Sequence, residues 1–86
     1  EFALEANYPN PFNPATNIGF ALPERSEVAV RIFDVNGRLV ETLATGDFGP
    51  GNHTVSWDAR GLASGTYFYR LEAGSYVETK KMLLLK

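Results

Sequence analysis

Apolar residues in this chain recur at every second position, in short runs separated by turn-forming residues about every ten positions. Ile18, Phe20 and Leu22 share one face of a run; Val28, Val30 and Ile32 share one face of the next. Tyr67, Tyr69 and Leu71 do so again, opposed by Phe68, Arg70 and Glu72. A period of two marks half-buried strands, and no stretch carries the 3.6-residue period of an amphipathic helix. Six to seven strands with regular turn signals predict an all-β sandwich or barrel. The expected fold is therefore an immunoglobulin-like antiparallel β-sandwich of about seven strands, without a disulfide because the chain has no cysteine.

Length and composition narrow this further. Eighty-six residues correspond to one domain, residues 1–86, with a modest core. Residues 1–3 read either as a linker or cloning remnant or as the first native residues, with Phe2 apolar. Eleven aromatic residues supply core material. The formal net charge of −2 argues against nucleic acid as a partner, since such binders carry a basic stripe. The absent cysteines remove thiol catalysis and thiolate metal sites.

The segment Asn7–Pro14, NYPNPFNP, holds three prolines in six positions from Pro9. Each fixes φ and lacks an N–H, so the segment is irregular or an edge strand, with Tyr8 and Phe12 as expected core anchors. After the strand Glu27–Val35, Asn36-Gly37 is a hairpin signal. A two-residue turn there places Val35 opposite Arg38 and Phe33 opposite Val40. Gly46–Gly51 reads as a glycine-rich loop, Asn52–Trp57 as a strand, and Asp58–Gly65 as a second loop. Thr66–Ala73 and Tyr76–Lys86 are the last two strands, joined at Gly74-Ser75. Met82, Leu83, Leu84 and Leu85 form an apolar run beside the C-terminal Lys86.

None of the titratable residues falls into a catalytic pattern. His53 is the sole histidine and lacks a sequence-evident partner, so a structural hydrogen bond is its expected role. The carboxylates are scattered, and a small domain offers little room for a substrate cleft between two of them. Asp34, Asn36 and Asp58 could ligate calcium, but turn chemistry accounts for all three. Trp57, Tyr67 and Tyr69 lie on Val- and Leu-rich faces and belong to the core. Phe68 and Tyr76 are left as candidates for a surface platform of the kind that stacks on sugars. Lys80, Lys81 and Lys86 read either as a recognition feature or as lysines that guard an edge strand. Neither catalytic residues nor a cofactor or metal site is expected.

In order along the chain stand NYPNPFNPAT, NIGFALP, VAVRIFDVNGRLVETL and GNHTVSWDARGLASGTYFYRLEAGSYVETKKMLLLK. Together they resemble the C-terminal sorting domain of the type IX (Por) secretion system. More distantly they resemble the immunoglobulin-like domain of the flagellar hook-capping protein. The resemblance covers about Leu4 to Lys86. It implies a non-catalytic module that directs an exported passenger through the outer-membrane type IX translocon to the cell surface or the medium. It also implies a sortase-like peptidase as a second partner and covalent membership of a larger secreted protein. The family's short C-terminal motifs map onto Gly65, Thr66 and Tyr67 and onto Lys80, Lys81, Met82, Leu83, Leu84, Leu85 and Lys86. Of these, Lys81–Lys86 are expected to form the recognised strand. The other classes compatible with the residues are a carbohydrate-binding module of a polysaccharide-degrading enzyme and a structural immunoglobulin-like spacer.

Overall fold

A computed structural model describes residues 1–86. Seven strands follow one another: β1 (Ala3–Leu4), β2 (Ala15–Leu22), β3 (Ser26–Phe33), β4 (Leu39–Phe48), β5 (Gly51–Asp58), β6 (Gly65–Ala73) and β7 (Tyr76–Leu84). They form two antiparallel sheets, one in the order β1-β2-β5 and the other in the order β4-β3-β6-β7. This is an immunoglobulin-like β-sandwich, as the alternating runs predict.

The sheets bury their facing sides against each other. β2 contributes Ile18, Phe20 and Leu22, and β3 contributes Val28, Val30 and Ile32. β6 supplies Tyr67, Tyr69, Leu71 and Ala73, and β7 supplies Met82 and Leu84. Trp57 of β5 is the largest fully buried side chain, with its ring 5.8 Å from Phe12 and 5.5 Å from Tyr67. Its indole N–H donates to Glu41 Oε1 at 3.0 Å, satisfying the one polar atom of an otherwise apolar side chain.

Three expectations are corrected. The β3–β4 connection is longer than a two-residue turn, because Phe33 pairs with Leu39 and not with Val40. Gly37 N–H donates to Asp34 O, Asp34 N–H donates to Arg38 O, and only Gly37 takes a positive φ, at 80°. That is a three-residue loop closed by a glycine bulge. The Asp34 carboxylate stabilises it by accepting from the N–H groups of Asn36 and Arg38. Second, the glycine-rich stretch 46–51 is mostly strand. β4 runs through Gly46 to Phe48 and β5 starts at Gly51, leaving Gly49-Pro50 as the crossing between the sheets. Third, Tyr8 is not a core anchor: it is 79% exposed, whereas Phe12 is buried as expected.

The proline-rich segment is ordered because a buried polar cluster holds it. Asn7 Nδ2 donates to Thr16 Oγ1 at 3.0 Å and to Pro9 O at 3.2 Å, and Thr16 Oγ1 donates to Pro9 O at 2.9 Å. The Tyr69 hydroxyl accepts from Asn7 N–H at 3.0 Å and donates to Glu5 O at 2.7 Å. Phe2, in the segment expected to be linker or native start, stacks on Tyr76 with ring centres 5.0 Å apart, so residues 2–4 are integrated into the sandwich.

Candidate functional site

The two segments expected to carry the family's motifs, Gly65–Tyr67 and Lys80–Lys86, become immediate neighbours. In the β6–β7 ladder Gly65 pairs with Leu84, Thr66 with Leu83 and Tyr67 with Met82, followed by Phe68 with Lys81 and Tyr69 with Lys80. Antiparallel pairing of strands linked by the short Gly74-Ser75 turn makes this register unavoidable once both strands form. Alternation then sorts the side chains. Met82 and Leu84 point into the core at 2% and 0% exposure, while Leu85 is 49% exposed. Leu83 is half-buried on the outer face, and Lys81 and Lys86 are exposed.

The expected recognised strand, Lys81–Lys86, is strand only as far as Leu84. Its last two residues are fixed by other means. Leu85 N–H donates to Phe12 O at 3.0 Å, and Lys86 N–H donates to Ser64 Oγ at 3.0 Å. Leu83 donates its N–H to Asn10 Oδ1 and accepts from Phe12 N–H, both at 3.0 Å. Asn10 and Phe12 thus cover the outer edge of β7 at its C-terminal end and hold the chain terminus against the sandwich. These two residues are the part of the site that sequence reasoning missed. Asn10 stands before Pro11, which suits a turn, and nothing local marks its bond to a residue 73 positions away.

The lysines divide in role. Lys80 lies on the inner side of β7 beside Glu78, with Nζ 3.5 Å from Oε2. Inward-pointing charge at the rim of a sheet discourages unwanted strand pairing, the guarding role considered for these lysines. Lys81 projects from the outer face. The Tyr76 hydroxyl donates to Glu78 Oε1, and this bond pushes the Tyr76 phenol up to about 12 and holds the Glu78 carboxyl below its usual range. Tyr76 therefore faces the core side against Phe2, and Phe68 alone lies on the outer face, so the two do not form a stacking platform. On that outer face the Arg70 guanidinium sits 4.5 Å above the Phe33 ring, and Glu72 lies 2.8 Å from Arg70 Nε and 3.0 Å from Arg31 Nη1.

The remaining polar candidates have structural duties. His53 Nε2 donates to Gly49 O at 2.8 Å, and its ring stacks on Phe20 and meets Phe48 edge-on. Asp58 accepts from Arg60 N–H and pairs with the Arg60 guanidinium, a turn arrangement like that of Asp34. The Arg38 N–H is the main cause holding the Asp34 carboxyl below its ordinary value, with Asn36 N–H and the Arg38 charge adding to it. A carboxyl depressed in the folded state contributes stability that is present above its unfolded pKa and is lost as pH falls through its folded one. Asp34 and Glu78 are both depressed, from ordinary values of 3.8 and 4.5. Stability is accordingly expected to fall as pH drops from about 4.5 through the acid range below these ordinary values. Urea unfolding across that range is the measurement, and Asp34→Asn is expected to flatten the slope; an unchanged slope refutes the assignment to Asp34.

The fold and site define an all-β module whose distinctive surface is its last strand, paired with β6 along one edge and held by Asn10 and Phe12 only at the far end of the other. A family model described as a secretion system C-terminal sorting domain matches residues 6–85. The chain belongs to this family, whose domains are C-terminal sorting signals for type IX secretion. Among solved structures, PorZ of Porphyromonas gingivalis, an essential bacterial surface component of the type IX secretion system, is similar with a TM-score of 0.66 and 24% identity. That likeness covers 99% of this chain and 11% of the PorZ chain, and it supports the fold. No curated protein matches the chain.

Proposed function

We propose that the chain is a non-catalytic export label whose exposed C-terminal residues are read, in the folded state, by the type IX translocon. It is covalently part of a larger secreted protein, and a sortase-like peptidase acts on the junction that precedes it. The passenger then stands on the cell surface, associated with the outer membrane, or in the medium. Lys81, Leu83, Leu85 and Lys86, with Thr66 beside Leu83, form the recognised face. Gly65, Tyr67, Met82 and Leu84 hold that face in shape, and Lys80 guards the rim.

One observation carries this reading: Asn10, Phe12 and Ser64 immobilise the backbone of Leu83, Leu85 and Lys86, leaving the Leu85 and Lys86 side chains exposed. Ordering these residues in advance lowers the entropy lost on binding. The test is a reporter passenger carrying the domain with Lys81→Gln, Leu85→Ser and Lys86→Gln together. Surface display is expected to drop roughly tenfold or more, equivalent to ~1.4 kcal/mol of lost recognition. The thermal unfolding curve is expected to stay within error, since exposed charges and side chains contribute little to stability. Full display by the triple variant overturns the proposal.

A further inference from the structure

The four-stranded sheet has two outer edges, and they differ. β4 is irregular, with register shifts against β3 between Val30 and Arg31 and between Ile32 and Phe33. Such bulges twist an edge away from pairing. β7 pairs with β6 without any shift from Gly65↔Leu84 to Ala73↔Tyr76. Leu83 turns its N–H and C=O away from β6 toward Asn10 and Phe12. By strict alternation Lys81, Thr79 and Val77 also direct their main-chain groups outward. No element of the sandwich lies beyond β7 in that sheet, so this edge is open from Val77 to Lys81 and closed at Leu83.

We infer that the open edge of β7 pairs antiparallel with β7 of a second copy of this chain, about a two-fold axis at Thr79. The alternating Glu78 and Lys80 make the strand complementary to itself, and charge selects the register. Within the open stretch a two-fold pairing can centre on residue 78, 79 or 80. Centring on 78 sets Glu78 against Glu78 of the other copy, and centring on 80 sets Lys80 against Lys80. Like charges directly opposite are destabilising. Centring on Thr79 sets Glu78 opposite Lys80 twice, in the closer, non-hydrogen-bonded pairs, and Val77 opposite Lys81 in hydrogen-bonded ones. Thr79 then faces Thr79, and roughly six main-chain hydrogen bonds form, two per hydrogen-bonded pair. The net charge of −2 opposes this little. Lys80 and Lys81 penalise the misaligned registers, so edge protection and self-recognition come from the same residues. One pair of short strands buries less than the ~1,000 Å² of a stable interface, so the dimer is weak and forms at about 0.1–1 mM.

Sedimentation of the 86-residue chain from about 10 μM to 1 mM tests this, the range being set by the small interface. The average mass is expected to rise from 9.5 kDa toward twice that value. Amide exchange is expected to slow at Val77, Thr79 and Lys81 as concentration rises. Lys80→Glu sets acid against acid and is expected to weaken association roughly tenfold, whereas Glu78→Lys with Lys80→Glu restores it. A monomer at 1 mM overturns the inference. So does a dimer without concentration-dependent protection at those three amides, which would use another surface or exchange the whole of β7. The export proposal is read by surface display and stands or falls separately.

Discussion

Leu84→Ala is expected to lower the unfolding free energy by about 3 kcal/mol, within the ~2–5 kcal/mol of buried leucine truncations. Leu84 is fully buried, pairs with Gly65 on one side and bridges Phe12 on the other. Truncation leaves a void at the point where β7, β6 and the proline-rich segment meet. The glycine partner has no side chain with which to fill it. A domain of this length has a total stability on the order of 4–13 kcal/mol, so this single change removes a quarter or more of it. Urea unfolding at neutral pH measures the effect; a loss below ~1 kcal/mol refutes the view that the C-terminal strand is a core element. One consequence concerns export. Deleting residues 80–86 strips Met82 and Leu84 from the core, so lost display after such a deletion reports unfolding as well as lost recognition. Substitutions confined to Lys81, Leu85 and Lys86 separate the two.

Tyr69→Phe is the second large effect, expected at about 2–4 kcal/mol. The ring is fully buried, and its hydroxyl accepts from Asn7 N–H and donates to Glu5 O. Phenylalanine keeps the packing but strands one main-chain donor and one acceptor, each costing about 1–3 kcal/mol where water cannot replace the lost bond. The damage is expected to concentrate in residues 5–9, because this hydroxyl ties the N-terminal segment to β6. Faster amide exchange at Asn7, together with a lowered urea midpoint, is the expected signature. Wild-type exchange at Asn7 alongside a stability loss under ~0.5 kcal/mol refutes it.

These two residues show how unevenly the structure is written in the sequence. Period-two alternation around Ile18, Val30 and Tyr69 identifies which side chains are buried, because side-chain direction in a strand is a local property. The Asn36-Gly37 turn was legible as a turn, yet its register was not. Asn36 keeps a negative φ and Gly37 alone turns over, while the Asp34 carboxylate captures the N–H groups of Asn36 and Arg38. That side chain prefers a longer loop than the two-residue signal suggests. Gly46, with φ at 131°, lies within a strand, so glycine content alone overstated the loop. Tyr8 was misplaced because an aromatic between prolines has no strand periodicity to orient it. At the candidate site, the strands β6 and β7 were visible, whereas Asn10, Phe12 and Ser64 as partners of the last residues were not.

By itself, then, the chain's residue order determined an all-β sandwich, its buried face and the absence of a disulfide. Tertiary structure alone decided that the terminus is clamped by the proline-rich segment, and that β7 is open from Val77 to Lys81 and closed at Leu83. The physical reason is that every residue other than proline offers the same N–H and C=O. Side-chain pattern can say which way a residue faces, but only the closure of distant segments decides which of those identical backbone groups find each other.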